Sequence, residues 1–185
     1  FNIIMKPEVY FAPLKVVLEV NTHSEGVAYM KSYMKGQFDF YGWKQQPRRV
    51  IFNEFVKLHR LCDYENLNEH IKWLYNQPQR EYDYCAMELL LKFKKKWGDS
   101  LLDHAKYLIV NNSWWDKVDL TATNIVGAYL KKNLHLIETI MPDWIESDNK
   151  WLNRTAMIFQ LKYKIVTSTY WLEKSILPHI ESKEF

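Results

Sequence analysis

Short polar breaks recur about every 15 to 20 residues along this chain, and the apolar side chains between them follow helical spacing. Period-2 alternation with β-branched residues, which is typical of strands, never persists. Glycine is scarce, with 5 in 185 residues, which further disfavours a turn-rich all-β fold. We therefore predict an all-α fold of about ten helices joined by short turns.

The order of these helices predicts how they pack. Consecutive helices with short connections are expected to lie antiparallel and to stack as pairs, which is the arrangement of an α-solenoid. The spacing between similar segments is loose, at about 35 to 45 residues, so any repeats would be degenerate. A solenoid has a concave face, and a concave face lined by basic residues would suit a rod-like polyanion.

The polar breaks also predict where helices end. We expect turns at residues 21–26, 42–47, 76–78, 97–99, 111–113, 132–133, 141–143 and 147–149. Pro47 can open the helix that carries Val50 and Phe55, because proline is tolerated in the first helical turn.

Composition limits the class of protein. Hydrophobic residues make up 48% of the chain, which is enough for a core without metals or disulfides. The net charge of +3 permits a polyanionic partner without requiring one. The two cysteines, Cys62 and Cys85, are interpreted as small buried side chains. With neither a CxxC motif nor a secretory signal in view, a reducing cytoplasm is the expected location.

The sequence also predicts the limits of the domain and its relation to membranes. No apolar run approaches the roughly 20 residues of a membrane-spanning helix, so no membrane association is expected. Residues 1–4 precede Met5, Lys6 and Pro7, which read like a natural start, and are interpreted as additional or upstream residues. We expect one domain over residues 5–185.

The stretch SWWDKVD, beginning at Ser113, places two tryptophans beside two acids at a predicted helix start. Ser113 and Asp116 fit a capping box, and Trp114 fits a core anchor, so none of these three requires a function. Asp119 follows Trp115 by four residues, so both project from one side of the helix. A carboxylate beside an indole there could stay ionised and stabilise a cation formed in a reaction. The alternative for Asp119 is a solvated acid that interacts with the helix dipole.

The stretch SDNKWLNR is the second unusual segment. Ser147 or Asp148 can cap a helix, and Arg154 then falls about two turns in among apolar residues. Such an arginine either snorkels or pairs with an acid, or it serves as a phosphate clamp. The basic runs at 48–49 and 92–96 are solvated faces or phosphate contacts. The six histidines lack metal-ligand spacing, and no nucleotide-binding motif is present, so no metal or cofactor is expected.

From about Tyr33 onward the chain resembles the AlkD-type DNA alkylation repair glycosylases, which are built of HEAT-like helical repeats. The segments that carry the resemblance are, in chain order, YMKGQFDFYG, PRR, SWWDKVD, PDWIESDNKWLNR, FQLKYK and SKEF. The resemblance implies that a concave face cradles duplex DNA. It also implies hydrolysis of the N-glycosidic bond of N3- or N7-alkylated purines in base excision repair. The absence of a dimer signature in the sequence favours a monomer.

The resemblance also implies roles for individual residues. Asp119 matches the catalytic acid, Trp115 the aromatic that packs on the deoxyribose backbone, and Arg154 the arginine near the lesion's phosphate. The residues expected to contact DNA are Tyr33, Lys35, Arg48, Arg49, Lys162 and Lys164. The family pattern continues past Phe185 with helices that carry a second tryptophan. The given sequence ends at Phe185, so we expect the domain at 5–185 to lack these helices. Trp171 does not occupy the position of the second tryptophan and is not carried over as its replacement.

Alkylation at N3 or N7 makes the base a cation and hence a good leaving group, so no general acid is needed. Asp119 would stabilise the positive charge that develops on the sugar and orient the attacking water. Two alternatives stay open at this point. One is a DNA-binding relative without activity, and the other is a HEAT-like scaffold for protein interactions.

Overall fold

The computed structural model describes residues 5–20, 22 and 24–183. Over these residues the chain forms twelve α-helices with short 3-10 and π segments, and it contains no strand beyond an isolated bridge between Asp39 and Gln79. The predicted all-α class is therefore confirmed. None of the helices in these ranges is long and apolar enough to cross a membrane.

The chain divides into two compact units, the N-terminal unit (residues 1–96) and the C-terminal unit (residues 97–185). The N-terminal unit contains α1 (Pro7–Tyr10), α2 (Ala12–Val20), α3 (Ser24–Tyr33), α4 (Gln45–His59), α5 (Leu67–Tyr75) and α6 (Arg80–Lys92). Short 3-10 turns lie at Tyr64–Asn66 and Lys94–Lys96. Of the predicted turn at 21–26, Asn21 and His23 lie outside the described residues, and α3 already begins at Ser24.

The core of the N-terminal unit follows helical periodicity. Leu67, Ile71 and Leu74 lie on one face of α5 and are fully buried where α5 packs on α6. Phe11 and Phe52 are buried in the same unit. Full burial of side chains of this size stabilises a fold by about 1.5 to 3 kcal/mol each.

A buried carboxylate fixes the loop before α4. Glu81 lies on α6 with no exposed surface, and it accepts hydrogen bonds from the backbone N–H groups of Tyr41, Gly42 and Trp43 at 2.9 to 3.1 Å. Burial raises the pKa of Glu81, and these backbone donors oppose the rise. Gly42 has a φ of 94°, a conformation that glycine adopts without strain.

Replacing Glu81 with glutamine is expected to lower the free energy of unfolding by about 2 kcal/mol, because the three backbone N–H groups lose a charged acceptor and an NH₂ in place of Oε2 cannot accept from Tyr41. Urea unfolding followed by circular dichroism measures the loss. Glu69→Gln, on the exposed face of α5, is the control and should leave stability unchanged. Equal stabilities of the two variants would refute the role assigned to Glu81.

The C-terminal unit contains α7 (Leu101–Val110), α8 (Trp115–Thr121), α9 (Gly127–Leu130), α10 (Ile137–Ile145), α11 (Lys150–Ile158) and α12 (Thr169–Ile176). A π-helical segment, Ala122–Val126, joins α8 to α9, so the chain is helical without interruption from Trp115 to Leu130. Short 3-10 turns lie at Leu134–Leu136, Lys164–Val166 and Leu177–His179. α10 packs on α11, as expected for consecutive helices with a short connection.

The break predicted at 141–143 is wrong, because Pro142 lies inside α10. Proline removes one backbone hydrogen bond and disfavours a helix interior by about 3 kcal/mol. Here Met141, Trp144 and Ile145 are buried on the same helix, and the free energy of burying them offsets that cost. Burial against distant residues has therefore overridden local propensity.

Candidate functional site

Asp119 on α8 and Arg154 on α11 form a two-pronged ion pair. Arg154 Nε donates to Asp119 Oδ1 at 2.6 Å, and Arg154 Nη2 donates to Asp119 Oδ2 at 2.8 Å. The side chain of Asp119 is 36% exposed and that of Arg154 is 29% exposed, so one edge of the ion pair faces solvent. Parallel N–H···O bonds of this kind fix the plane of a carboxylate as well as its position.

The ion pair stabilises the charged form of Arg154. The hydrogen bond to Asp119 raises the pKa of Arg154, and partial burial opposes that rise. The sequence left open whether Arg154 pairs with an acid or clamps a phosphate, and in this structure it pairs with Asp119. Two of the five guanidinium N–H groups are used in the pair, so a phosphate contact stays compatible with it.

The two tryptophans at the start of α8 differ in position. Trp115 is the first residue of α8, and its spacing of four from Asp119 places both on one face of the helix. Trp115 and Asp119 are each half-buried. Trp114 precedes the helix, and its ring lies 6.0 Å from that of the buried Trp151 on α11. The Trp114 contact fits the core anchor expected from the sequence.

The predicted capping box at Ser113 and Asp116 is wrong. The residue that caps α8 is Trp114, whose backbone is extended, and no side-chain hydrogen bond is made there. Ser113 Oγ instead donates to the carbonyl of Ile109 at 2.6 Å, at the end of α7. The serine therefore satisfies the carboxyl end of the preceding helix, which leaves a carbonyl without an intrahelical partner.

Lys117 also stabilises the turn at 111–113, between α7 and α8. The sequence interpretation did not identify this role of Lys117. Its side chain has no exposed surface, and Nζ donates to the carbonyl of Asn111 at 2.7 Å. A buried ammonium needs such a partner, because an uncompensated buried charge is costly. Asn112 in the same turn has a φ of 45°. The Asn-Asn pair was the only local signal of a tight turn, and nothing local indicated that Lys117 reaches back to it.

The helix that carries Arg154 is capped by a residue other than the two expected. Asn149 is the N-cap of α11, and its side chain accepts from the N–H of Trp151 at 2.9 Å. Ser147, two residues before this cap, accepts from the N–H of Asn149 at 3.1 Å. The prediction of Ser147 or Asp148 as the cap is therefore wrong by one or two residues, because several adjacent side chains could compete for that role.

A π-helical segment begins three residues after Asp119. Thr123 Oγ1 donates to the carbonyl of Asp119 at 2.8 Å, and Asn124 Nδ2 donates to the carbonyl of Leu120 at 3.0 Å. Side chains that bond back to the helix disturb its regular ladder, and short π segments occur frequently at functional sites. The sequence interpretation did not identify this segment, although Thr and Asn within an apolar helix were a weak signal.

Close backbone contact holds the Asp119 and Arg154 helices together. A Cβ on Gly127, at the start of α9, would lie 2.0 Å from the carbonyl oxygen of Phe159, which caps α11. Tyr163 is buried, and its hydroxyl donates to the carbonyl of Gly127 at 2.9 Å. The absence of a side chain at Gly127 is what permits this approach.

Two basic residues predicted to contact DNA lie in the C-terminal unit with the ion pair. Lys162 is exposed, and its ammonium donates to the side-chain oxygen of Asn124 in the π segment. Lys164 is exposed, with a φ of 55°. Both side chains can reach a ligand in solvent, and their role as DNA contacts stays a prediction.

The remaining predicted DNA contacts lie in the N-terminal unit. Tyr33 is 55% exposed, and its ring stacks on that of Tyr29 with centroids 6.2 Å apart. Lys35 is exposed, and Arg49 is half-exposed with Nε 3.4 Å from Glu88. These side chains are accessible, so their predicted contacts are compatible with the structure.

The prediction that Arg48 contacts DNA is wrong, because its side chain is buried. It is 3% exposed, its Nη2 lies 3.1 Å from Glu88 Oε1, and its guanidinium lies over the ring of Tyr84 at 4.7 Å. A side chain buried in this way cannot reach a phosphate in solvent. Its location on the inner face of α4 follows from helical periodicity with the buried Phe52 and Phe55, four and seven residues later.

Comparison with known proteins bears on the fold and the family of the chain. No curated protein matches the chain. The solved structure of a predicted DNA alkylation repair enzyme from Enterococcus faecalis is 28% identical and has a TM-score of 0.81, over 89% of this chain and 77% of that one. These values confirm the expected helical fold and the family resemblance. Residues 14–185 match the DNA alkylation repair enzyme family, a span that includes most of both units. This chain therefore belongs to the DNA alkylation repair enzyme family.

Proposed function

We propose that this protein is a DNA glycosylase that hydrolyses the N-glycosidic bond of cationic N3- or N7-alkylated purines in duplex DNA. Its family gives the broader role, which is the repair of alkylated DNA. The observation that carries the finer proposal is the partly exposed carboxylate of Asp119, fixed by Arg154 and placed one helical turn from Trp115. The enzyme would act as a monomer in the cytoplasm.

The chemistry of the substrate explains why so few catalytic groups are needed. An alkyl group on N3 or N7 gives the purine a positive charge, and the base becomes neutral when it leaves with the bonding electrons. The leaving base therefore does not need to be protonated by a side chain. The positive charge moves to the sugar, and stabilising that charge lowers the barrier.

Asp119 is the group that would stabilise the sugar. A carboxylate has about four lone-pair positions, and Arg154 occupies one on each oxygen, which leaves acceptor capacity for an attacking water. The attraction of the carboxylate for the sugar is opposed by the charge of Arg154. Because Coulomb energy falls with distance, net stabilisation requires that the sugar approach the carboxylate edge remote from the guanidinium.

Trp115 and Arg154 would support this role. The face of an indole attracts positive charge, and Trp115 shares a helix face with Asp119. Arg154 holds the carboxylate in one orientation, so little reorganisation is needed when the bond breaks. The resemblance to the AlkD-type glycosylases implies that the base need not enter a pocket, in which case the energy of unstacking it is avoided.

One observation favours a second candidate, a DNA-binding relative without activity. The charge of Asp119 is already matched by that of Arg154, and an ion pair closed in this way stabilises a nearby cation less than a free carboxylate does. The two candidates differ in whether the sugar reaches the carboxylate.

Release of 7-methylguanine from a methylated duplex separates the candidates. We expect the protein to release free base faster than the protein-free reaction, and to release none from the same duplex without methylation, because neutral guanine is a poor leaving group. If the protein binds the duplex but releases no base, it is a DNA-binding relative without glycosylase activity. If the protein neither binds the duplex nor releases base, a role as a protein-interaction scaffold takes its place.

A further inference from the structure

A hollow of about 300 Å³ lies at the end of α6 in the N-terminal unit. Three lysines line it, Lys92 at the last position of α6 and Lys95 and Lys96 on the following 3-10 turn. The other lining residues are Leu61, Cys62, Asp63 and Phe93. The hollow therefore combines three ammonium groups with a single carboxylate.

The positive charge of this hollow is not neutralised within the part of the chain that the structure describes. Lys92 Nζ donates to the side-chain oxygen of Asn53 at 2.6 Å, so its partner is uncharged. In the described residues, neither Lys95 nor Lys96 lies within ion-pair distance of a carboxylate. Asp63 balances one charge, which leaves an excess of about two positive charges for a ligand in solvent.

The apolar residues that line the hollow strengthen the attraction of its lysines for an anion. Phe93 is buried and Leu61 is partly exposed, so ammonium groups beside them are screened less than on an open surface. Burial raises the pKa of the Cys62 thiol to about 12, and the charge of Asp63 adds to the rise. The thiol is therefore neutral at pH 7 and contributes no negative charge.

Interaction with the dipole of α6 does not account for all three lysines. Cations stabilise the carboxyl end of a helix only within the last turn, which explains Lys92. Lys95 and Lys96 follow the helix end on a separate 3-10 turn, and both side chains are exposed. Their placement beside the same hollow suits an anionic ligand with several acceptor oxygens.

We propose that Lys92, Lys95 and Lys96 each contact a phosphate of the duplex DNA backbone at this hollow, separately from the Asp119 site. The choice of DNA as the anion rests on the proposed function. Lysine ammonium groups act as point charges without a required approach direction, which suits binding that does not depend on DNA sequence. The contact therefore adds affinity for any duplex, whether or not it is alkylated.

The first test is the salt dependence of binding to an unmodified duplex. Fluorescence anisotropy between about 50 and 200 mM KCl gives the slope of log affinity against log salt concentration. In the Lys92→Gln/Lys95→Gln/Lys96→Gln variant we expect the magnitude of this slope to fall by about 2 to 3, since each phosphate contact contributes about 0.9. Affinity at the lower salt concentration should fall at least tenfold.

A charge-matched control separates local contact from net charge. Lys6, Lys15 and Lys57 are exposed lysines of the same unit outside the hollow, and their replacement by Gln removes the same charge. This control should change the slope by less than about 1, which is less than one phosphate contact. A hollow variant that behaves like the control would overturn the proposal. Thermal unfolding of both variants verifies that exposed substitutions left the fold intact.

Cys62 provides a second measurement at the hollow itself. The chain has two cysteines, and Cys85 is fully buried, so N-ethylmaleimide should label Cys62, slowly because the raised pKa of its thiol leaves little thiolate. We expect duplex DNA to slow the labelling at least threefold, while inorganic phosphate at the same phosphate concentration leaves it unchanged. Protection by inorganic phosphate but not by the duplex would assign the hollow to a small free anion and refute the DNA contact.

The outcomes distinguish this inference from the proposed function. If the hollow variant binds the duplex weakly while wild-type protein releases no methylated base, the contact stands and the glycosylase proposal fails. If wild-type protein releases base but the variant's salt slope is unchanged, the contact fails and the glycosylase proposal stands. A wild-type protein that does not bind any duplex refutes both.

Discussion

Replacing Asp119 with asparagine should slow the release of 7-methylguanine by about 10²- to 10³-fold, which is the usual cost of removing one preorganised electrostatic group from a transition state. Asparagine keeps the shape of the side chain but removes the charge that stabilises the sugar cation. Its NH₂ group also faces the guanidinium of Arg154, so orientation is lost along with charge. Single-turnover kinetics on methylated duplex measures this step without product release.

Asp116→Asn is the matched control for this prediction. Asp116 lies on the same helix, in the first turn of α8, and its replacement changes net charge by the same amount. We expect its rate to stay within about twofold of wild type, because the proposed chemistry assigns no role to Asp116.

Arg154→Lys adds a third measurement. It keeps the positive charge but loses the two parallel hydrogen bonds, so Asp119 is retained in a less fixed orientation. The expected rate lies between those of wild type and Asp119→Asn. If Asp119→Asn and Asp116→Asn release base at the same rate, the catalytic role of Asp119 is wrong.

Replacing Gly127 with alanine is expected to lower the free energy of unfolding by about 3 kcal/mol, at the upper end of overpacking effects. The added Cβ would lie 2.0 Å from the carbonyl oxygen of Phe159, and a backbone atom cannot move aside as a flexible side chain can. The helices that carry Asp119 and Arg154 must therefore separate. For a chain of this length the midpoint of thermal unfolding should fall by about 6 to 12 °C.

Gly98→Ala is the control in the same unit. A Cβ at Gly98 meets nothing within 4 Å, and its φ is not positive, so the change should alter the unfolding midpoint by no more than about 2 °C. The Gly127 variant should also lose base release, because its two helices hold the ion pair. A Gly127→Ala protein as stable as the Gly98→Ala protein would show that the helices repack without cost.

Several features of the fold were predictable because they depend on local sequence. The apolar residues Leu67, Ile71 and Leu74 repeat at helical spacing, and they form the buried face of α5 as that spacing predicts. The polar break at 111–113 separates α7 from α8, since three polar residues give a helix nothing to bury. Pro142 was misread because local propensity cannot register how much apolar surface its neighbours bury.

The candidate site was predictable only as a set of residues. Asp119, Trp115 and Arg154 were identified from their segments, and the helix spacing of the first two follows from sequence alone. The ion pair between Asp119 and Arg154 joins residues 35 apart in the chain, so no local pattern could indicate it. Gly127 was missed for the same reason, since it lies against the backbone carbonyl of Phe159 in a distant segment. Lys117 was missed because its partner is a backbone carbonyl, that of Asn111, and not a side chain that a sequence pattern could show.

The sequence by itself determined that the chain is helical and that it carries the residues of a DNA alkylation repair enzyme, because hydrogen bonds within a helix and short motifs are both local. Only the tertiary structure decided which charges meet water. Arg48 and Arg154 look alike in sequence, yet the first is buried against Glu88 and the second lies half-buried on Asp119. Which face of a helix is covered depends on packing by distant segments, and so does the chemistry available to each arginine.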